Sequence, residues 1–590
     1  MPSPNVFAVH GDLCQIEADA LVFSTDSVFT PGRLTKSFQN VFRDFDLRLR
    51  HVGADRRGPG VACWLGELPR HTGGATHVVV TISVDGVTDE PWPSAELVAT
   101  SIRCATRGLQ SAGERRRRLI AFPSLLSGDG GRQDERRALA REQIRAAQSA
   151  VAGHDDLDVA FVLHDRSTYE VYLAALREAG DGGQDGPAVP LELAAAIRDR
   201  RAVVFVGSGL SRSLPSWEEL TATLLGRLKT PHAEELARST EDYLVAADWY
   251  DWVATRVAQP ALKEIVRDTY GRARTAGSLP TLAHYQLLSL PFRYIVTTNF
   301  DPLLERALEA QKRRPQIVVR DGGVPHTAGV DDACIVKLHG DADDEGPIVL
   351  TKSQYDQFFE DHPAKALLLE GLLLNHVFLF VGYSLSDPHL RQIHGRIAAM
   401  LQAQKLPAYM TAFSNEPAGE ELAGITRIPF HGNPVALRRW LGRLVLAATP
   451  PASTFLADAS PPDGSQLHDL HAQLRNVGDC LPTLARRPLG HDDALALARL
   501  AECMAELAWR VPDGMEQLWA DLAAALPDGA VRRRCGARAG LPDDEMLRTR
   551  TAAAPPPPRA SAAAAPSAQR RAPTPRGHAR HARSPRHRPS

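Results

Sequence analysis

The stretch TTNFD (297–301) places an uncharged amide, Asn299, between the apolar run Tyr294, Ile295, Val296 and a helical pattern carried by Leu303, Leu304, Ala307 and Leu308. Pro302 suits the first helical turn, and Asp301 can cap that helix by accepting its free N–H groups. Capping accounts for Asp301 but not for Asn299. An amide at the mouth of a buried strand can orient a hydroxyl or a water without a proton of its own to lose. The carboxyl ends of parallel strands are also where open α/β sheets take ligands. Three further strand ends carry small or polar residues. AVVFVGSGLSRSLPSWEEL (202–220) runs a strand into a Gly-rich turn and then a helix, so that Gly207 and Gly209 let backbone N–H groups approach a phosphate. KLHGD (337–341) offers His339, which can accept a proton near neutrality. GYSLSDPHL (382–390) follows a fourth apolar run. A single Gly-Ser-Gly turn is often steric and a single histidine often structural; the weight lies in four such ends within one region.

Side chains at strand ends need a sheet to bring them together. The β-branched runs AVVFVG, YIVTTN, CIVKLHG and VFLFVG, between residues 188 and 448, alternate with helical patterns. That alternation predicts a mostly parallel sheet with helices on both faces. Residues 1–180 show a second strand–helix alternation, and DGGQDGP (181–187) reads as the linker. TPPASTFLADASPPDG (449–464) is the next break, 466–548 carries helical periodicity only, and 549–590 is an Ala/Pro/Arg-rich tail expected to be disordered. The expected class is α/β in several domains, since 590 residues exceed a single core.

A formal net charge of −2 argues against a general nucleic-acid binder, and the basic tail reads as solvated. The seven cysteines are dispersed without a Cys-x-x-Cys pair, which points to a reducing compartment and to no zinc ribbon or other metal. The N-terminus has no basic-then-apolar leader. The apolar run GLLLNHVFLFVGY is broken by Asn375 and His376 and is too short to span a bilayer. A cytoplasmic protein without a membrane partner is expected.

In the first region, VFAVHGDLCQIEADALVFSTD (6–26) reads as two strands paired around a Gly-Asp turn. RLIAFPSLLSGDGGRQDERRALAREQIRAA (118–147) reads as a strand, a glycine-rich loop and a long helix, with THVVVTI (76–82) as an intervening strand. RRRR (115–118) reads as a solvated run ahead of its strand.

Taken in order, GSGLS, TTNFD, LHG and GYSL resemble the blocks of the sirtuin family, and more closely its bacterial sirtuin-like defence branch, over roughly residues 190–410. The resemblance implies a Rossmann-like sheet holding NAD as substrate, with reaction at the anomeric carbon of the nicotinamide ribose. It implies that Gly207, Ser208 and Gly209 face the pyrophosphate and that Ser211 lines the phosphate and ribose pocket. Asn299 would hold the nicotinamide ribose and the attacking water, Asp301 the nicotinamide amide, and His339 would act as base or ribose partner. Gly382, Ser384 and Asp387 would line the adenosine end. Departures matter too. The four-cysteine zinc module of sirtuin deacylases has no counterpart, Cys334 being the only cysteine in the domain, and the usual Phe-Arg after the Gly-rich loop is replaced by Ser216 and Trp217. Without that lobe an acyl-lysine groove has no evident second wall. Water becomes the expected nucleophile and NAD hydrolysis the expected reaction, with deacylation second.

Residues 5–178 resemble a macrodomain, the ADP-ribose-binding fold. On that resemblance Asp12 meets the adenine amino group, while Ser127, Gly128, Asp129, Gly130 and Gly131 wrap the diphosphate. The Asp129 carboxylate would repel phosphate and is expected to face solvent. FSTD (23–26) stands where macrodomain hydrolases carry Asn-Ala-Ala-Asn, so binding rather than hydrolysis is implied. The two modules together resemble the effector of the Thoeris antiphage system. That implies a regulated NAD glycohydrolase, homo-oligomeric and activated by an ADP-ribose-type signal nucleotide. The alternatives are an NAD-dependent deacylase or ADP-ribosyltransferase with a macrodomain reader, or a non-catalytic nucleotide-binding regulator.

Overall fold

The computed structural model describes residues 5–26, 50–51, 63–67, 75, 77–84, 91–109, 118–126, 135–152, 154, 156–180, 186–227, 243–256, 260–272, 275, 277–329, 332–383, 407–413, 425–430 and 434–449. The expectations for Ser127 to Gly131, Ser384, Asp387, 466–548 and 549–590 lie outside the described residues.

The first sheet contains β1 (Asn5–His10), β2 (Ala20–Asp26), β3 (Arg50–His51), β4 (Cys63–Glu67), β5 (His77–Val84), β6 (Arg118–Phe122) and β7 (Leu157–Leu163), in the order β1-β7-β6-β2-β5-β4-β3. The block from β1 to β5 is parallel, and β4 and β3 add antiparallel edges. Every residue of LDVAFVL and RLIAF is buried, as befits parallel strands covered on both faces. Two expectations are corrected here. β1 and β2 do not pair with each other, because β7 and β6 lie between them; the Gly-Asp turn opens a crossover, not a hairpin. Arg118 is not a solvated residue: it starts β6, is buried, and its guanidinium donates to the Leu109 carbonyl and pairs with Asp156. A backbone carbonyl and a carboxylate together make burial of that charge tolerable.

The second sheet contains β8 (Ala202–Val206), β9 (Tyr294–Thr297), β10 (Gln316–Val318), β11 (Cys334–Lys337), β12 (Val377–Val381), β13 (Ala408–Ala412) and β14 (Ile425–Pro429), in the order β10-β11-β9-β8-β12-β13-β14. All of its pairings are parallel. Side chains alternate between two cores. Val204, Val206, Ile295, Leu379 and Val381 join one cluster with the helices Leu191–Arg198, Leu282–Leu288 and Pro434–Ala448. Val203, Phe205, Val296, Phe378 and Phe380 join the other, with the helix Pro363–Asn375. This two-residue alternation gives helices on both faces of a doubly wound sheet. The Phe205 and Phe380 rings, 5.4 Å apart, add about 0.5–1.5 kcal/mol beyond their burial.

The two sheets share one hydrophobic cluster, which runs from Phe7 and Val9 of β1 through Leu282 and Tyr285 to Trp440 and Leu441. Tyr285 lies directly against Gly11, where an added Cβ would sit 2.6 Å from its ring, and its hydroxyl donates to the Gln15 carbonyl at 2.7 Å. The Glu17 N–H donates to the Pro280 carbonyl at 2.9 Å, and Arg438 lies 3.6 Å from the buried Asp158.

Two histidines are buried along this seam. Burial drives His284 down to about 3, and burial together with the nearby Arg166 drives His10 down to about 3. Both are therefore neutral in the fold, while the unfolded chain takes up their protons below about pH 6.5. Stability from this source is complete above that value and is lost as pH falls from about 6.5 toward 3. His284 Nδ1 accepts from the Thr281 N–H in a capping box, a role glutamine also fills. We expect the thermal midpoint to decline below about pH 6.5, and His284→Gln to make that decline shallower. An identical acid limb in the variant would rule out His284 as a contributor.

Candidate active site

Register decides which strand ends meet. Thr297 pairs with Val206 on one side and with Lys337 on the other, and Val206 pairs in turn with Val381. Asn299 and His339 therefore each lie two residues past the same matched pair, on neighbouring parallel strands. Gly207 and Gly382 each lie one residue past the next pair. The chain leaves β8 for β9 on one flank and returns on the other as β12. The gap between β8 and β12 is thus the switch point where such sheets form a ligand crevice.

Asn299 is 7% exposed. Its Nδ2 donates to the Gly207 carbonyl and to Ser211 Oγ, both at 3.3 Å. A carbonyl only accepts, so this contact fixes which end of the amide is NH₂. Asn299 Oδ1 then faces away, buried and without a hydrogen-bond partner among the described residues. A buried amide oxygen left unmatched is costly, and a ligand hydroxyl or water would satisfy it. Ser211 also serves as a partner of the Asp301 carboxylate, linking the Gly-rich loop to the TTNFD loop. Asp301 sits one residue before the cap position, which Pro302 holds, and accepts from the Leu303 N–H, the first of the helix, at 3.0 Å. Burial pushes its carboxyl up, against the pull of Lys337 and these hydrogen bonds.

His339 is fully buried, with Nδ1 3.3 Å from the Tyr355 hydroxyl and the two rings edge to face at 4.8 Å. Two buried lysines brace the loops. Lys337 Nζ donates to the Asp301 carbonyl at 2.9 Å, to the Phe300 carbonyl and to Glu305 at 2.8 Å, and it pairs with Asp341. Burial works against its charge, but the two carboxylates outweigh it and hold the ammonium above its usual range. Lys365 Nζ donates to the Leu338 carbonyl at 2.9 Å, next to His339, and burial brings it down to about 8.

The glycines do something the sequence reading did not foresee. A Cβ on Gly207 would lie 2.5 Å from the Gly382 carbonyl oxygen, and one on Gly209 would lie 2.8 Å from it. Gly382 itself sits at φ +65°, in the left-handed region that favours glycine. The Gly207 and Gly209 N–H groups donate to Val381 and Gly382 carbonyls. These three glycines thus let two strand exits cross in contact, and those two amides are engaged with β12. Ser208 opens the short 3-10 turn Ser208–Leu210 that follows.

A wall over this mouth also escaped the sequence reading. Leu220, Leu224, Tyr250, Ile265 and Tyr270, from the helices Trp217–Arg227, Tyr243–Ala254 and Leu262–Tyr270, form a cluster with Phe300 and Leu303. Phe300, the neighbour of Asn299, has ring centroids 6.2 Å from Trp217 and 6.1 Å from Tyr270. Trp217, noted in sequence only as a departure, is part of this wall. In the first unit, Asp12 caps the short turn Leu13–Gln15 by accepting from the Cys14 N–H at 2.8 Å. Leu126 has φ 64° at the edge of the 127–131 stretch, and Gln143 clamps the preceding Leu125 through both of its backbone groups.

The fold is a doubly wound parallel sheet with a buried amide at a central strand end, and residues 293–425 match the family described as SIR2-like domain. The chain is similar to the NAD(+) hydrolase ThsA of Enterococcus faecium, 31% identical over 218 residues that make up 36% of this chain and 43% of that protein. It is also similar to the NAD(+) hydrolase ThsA of Cytobacillus dafuensis, 28% identical over 212 residues, 36% of this chain and 40% of that protein. The matches thus span less than half the length of these relatives. Among solved structures, a macrodomain of Oceanobacillus iheyensis aligns at 16% identity and a TM-score of 0.19, covering 29% of this chain and 90% of that one. Among the described residues there is no group of three or more His, Cys, Asp or Glu placed to hold a metal, and no helix long and apolar enough to cross a membrane.

Proposed function

We propose that the chain is a regulated NAD glycohydrolase of bacterial antiphage defence. Water adds to the anomeric carbon of the nicotinamide ribose, the bond to the pyridinium nitrogen breaks, and nicotinamide leaves as a neutral molecule with ADP-ribose as co-product. The observation that carries this reading is the buried, unmatched Oδ1 of Asn299 at the mouth of the central strand, its amide fixed by Gly207 and Ser211. That oxygen accepts from the ribose hydroxyl or the attacking water, and His339 on the neighbouring strand takes up the proton water releases. Asp301 recognises the nicotinamide amide, and Ser211 lines the phosphate and ribose pocket. Gly207, Ser208 and Gly209 flank the phosphates, and Gly382, Ser384 and Asp387 line the adenosine end. The similarity to NAD(+) hydrolases supports this choice over deacylation.

In the same reading the first unit binds an ADP-ribose-type signal through Asp12 and residues 127–131, in a cytoplasmic homo-oligomer. The free thiols of Cys14, Cys63, Cys104 and Cys334 suit a reducing compartment. To move a resting enzyme from 1:99 to 99:1 active, the signal must favour the active arrangement by about 5.5 kcal/mol. The test is incubation of the purified full chain with NAD, alone and with ADP-ribose-related nucleotides, followed by chromatography. Free nicotinamide with equimolar ADP-ribose is expected. NAD left intact under every condition overturns the hydrolase.

A further inference from the structure

The chain that follows His339 folds back onto it. The His339 carbonyl accepts from the Val349 N–H at 2.9 Å, which clamps the segment leading to Tyr355 onto the histidine's own backbone. Thr351 and Gln354 then form a capping box that starts the five-residue helix Lys352–Asp356. The Gln354 N–H donates to Thr351 Oγ1 at 3.2 Å, and Gln354 Oε1 accepts from the Thr351 N–H at 3.0 Å and the Leu350 N–H at 2.8 Å. Ser353 Oγ donates to Asp248 at 2.7 Å, pinning the same short helix to Tyr243–Ala254. Tyr355, 3% exposed, is held firmly by these ties. Its ring packs with Leu338, Val349 and Phe358, and its hydroxyl lies 3.3 Å from His339 Nδ1.

We propose that Tyr355 is a positioning residue for His339: its oxygen accepts from Nδ1–H, which fixes the tautomer that leaves Nε2 as the proton acceptor. A neutral imidazole carries one N–H, and the partner of one nitrogen decides what the other can do. With the phenol as acceptor, Nε2 takes a proton from the attacking water as the water oxygen bonds to the anomeric carbon. The electron pair of the broken bond leaves with nicotinamide, and the proton then passes from the ring to solvent. In between, the ring is an imidazolium with an N–H at each nitrogen, and the phenol oxygen steadies Nδ1–H beside an apolar cluster. A hydrogen bond to a charged group is stronger than one to a neutral group, so the contact gains as the transition state is reached. Had the phenol donated instead, Nε2 would carry the hydrogen and His339 could not act as base. The 3.3 Å separation suits a contact that tightens once substrate is bound. The catalytic role rests on the hydrolase reading; the tautomer does not.

The test is a cycle of Tyr355→Phe, His339→Ala and the double variant in the full chain, assayed by nicotinamide release, with thermal midpoints verifying the fold. Phenylalanine keeps the edge-to-face ring and removes only the oxygen. Tyr355→Phe should lower kcat by about tenfold or more, the scale of one lost hydrogen bond to a charged group, and leave the KM for NAD within about twofold of wild type. Without the imidazole there is nothing to orient, so adding Tyr355→Phe to His339→Ala should cost no further activity. A merely structural tyrosine costs the same in both backgrounds. That result, or a kcat within about twofold of wild type in Tyr355→Phe, overturns the proposal. Nitrogen NMR of the histidine-labelled chain reads the tautomer directly at a pH well above about 6.5, the His339 signals being those that His339→Ala removes. Protonated Nδ1 is expected in the wild type, giving way to a mixture of tautomers in Tyr355→Phe. Protonated Nε2 in the wild type, or no change of tautomer in Tyr355→Phe, overturns the proposal. A chain that leaves NAD intact under every condition removes the hydrolase, and the nitrogen signals still decide the tautomer.

Discussion

Asn299→Ala should lower the rate of nicotinamide release by roughly 10²–10⁴, the usual scale for a positioned catalytic group. Folding should change little, because the lost donor contacts are long, at 3.3 Å, and the Gly207 carbonyl keeps its place in the loop. Asn299→Asp separates positioning from volume. It keeps the shape but turns an acceptor toward the Gly207 carbonyl, where only a donor fits, so the side chain must rotate out of its seat. Both variants should therefore be severely impaired, measured as kcat on NAD at matched thermal stability. A kcat within threefold of wild type in the alanine variant would take Asn299 out of the mechanism.

Lys337→Met should cost about 3–5 kcal/mol of stability, since it strands the Glu305 carboxylate, 2% exposed, without its counter-charge. Activity should fall as well, because the lysine ties down the carbonyls of Phe300 and Asp301, which directly follow Asn299. The expected remedy is specific. Adding Glu305→Leu to Lys337→Met should restore much of the stability, since two apolar side chains can replace a buried ion pair, but not the tethering of the loop. Chemical denaturation of the single and double variants checks this. A loss below 1 kcal/mol in the single variant would mean that Glu305 is not ionised in the fold.

The strands that position the site were legible because they are short, β-branched and buried on both sides: AVVFV, YIVT, CIVK and VFLFV all form where their composition predicted. β10, β13 and β14 were not read. QIV has only three residues; AYMTA is buried but mixes small and polar residues, and ITRIP, at the sheet's edge, carries Arg427 and Pro429 and is only partly buried. At the site, Asn299 and His339 could be named from their place after those runs, and the register puts them on neighbouring strands at equal depth. The supports were hidden because they come from far along the chain. Tyr355 beside His339, the helices over Phe300 and Lys365 under Leu338 are contacts no local pattern encodes. Lys337 was the one support with a visible sign: a charge inside the apolar run CIVKL is an anomaly that a buried partner has to explain.

The apolar cluster shared by the two sheets bears on how the chain can be dissected. Severing it in the 181–185 stretch would give two fragments, each with a raw hydrophobic face: Phe7 and Val9 on one, Tyr285, Trp440 and Leu441 on the other. Such pieces tend to clump or to soften, so inactivity in an isolated half would report on its solubility and not on its chemistry. Unregulated activity in an isolated half would be just as hard to attribute to release from inhibition. Point substitutions in the intact polypeptide are the sounder instrument for separating the roles of the two units.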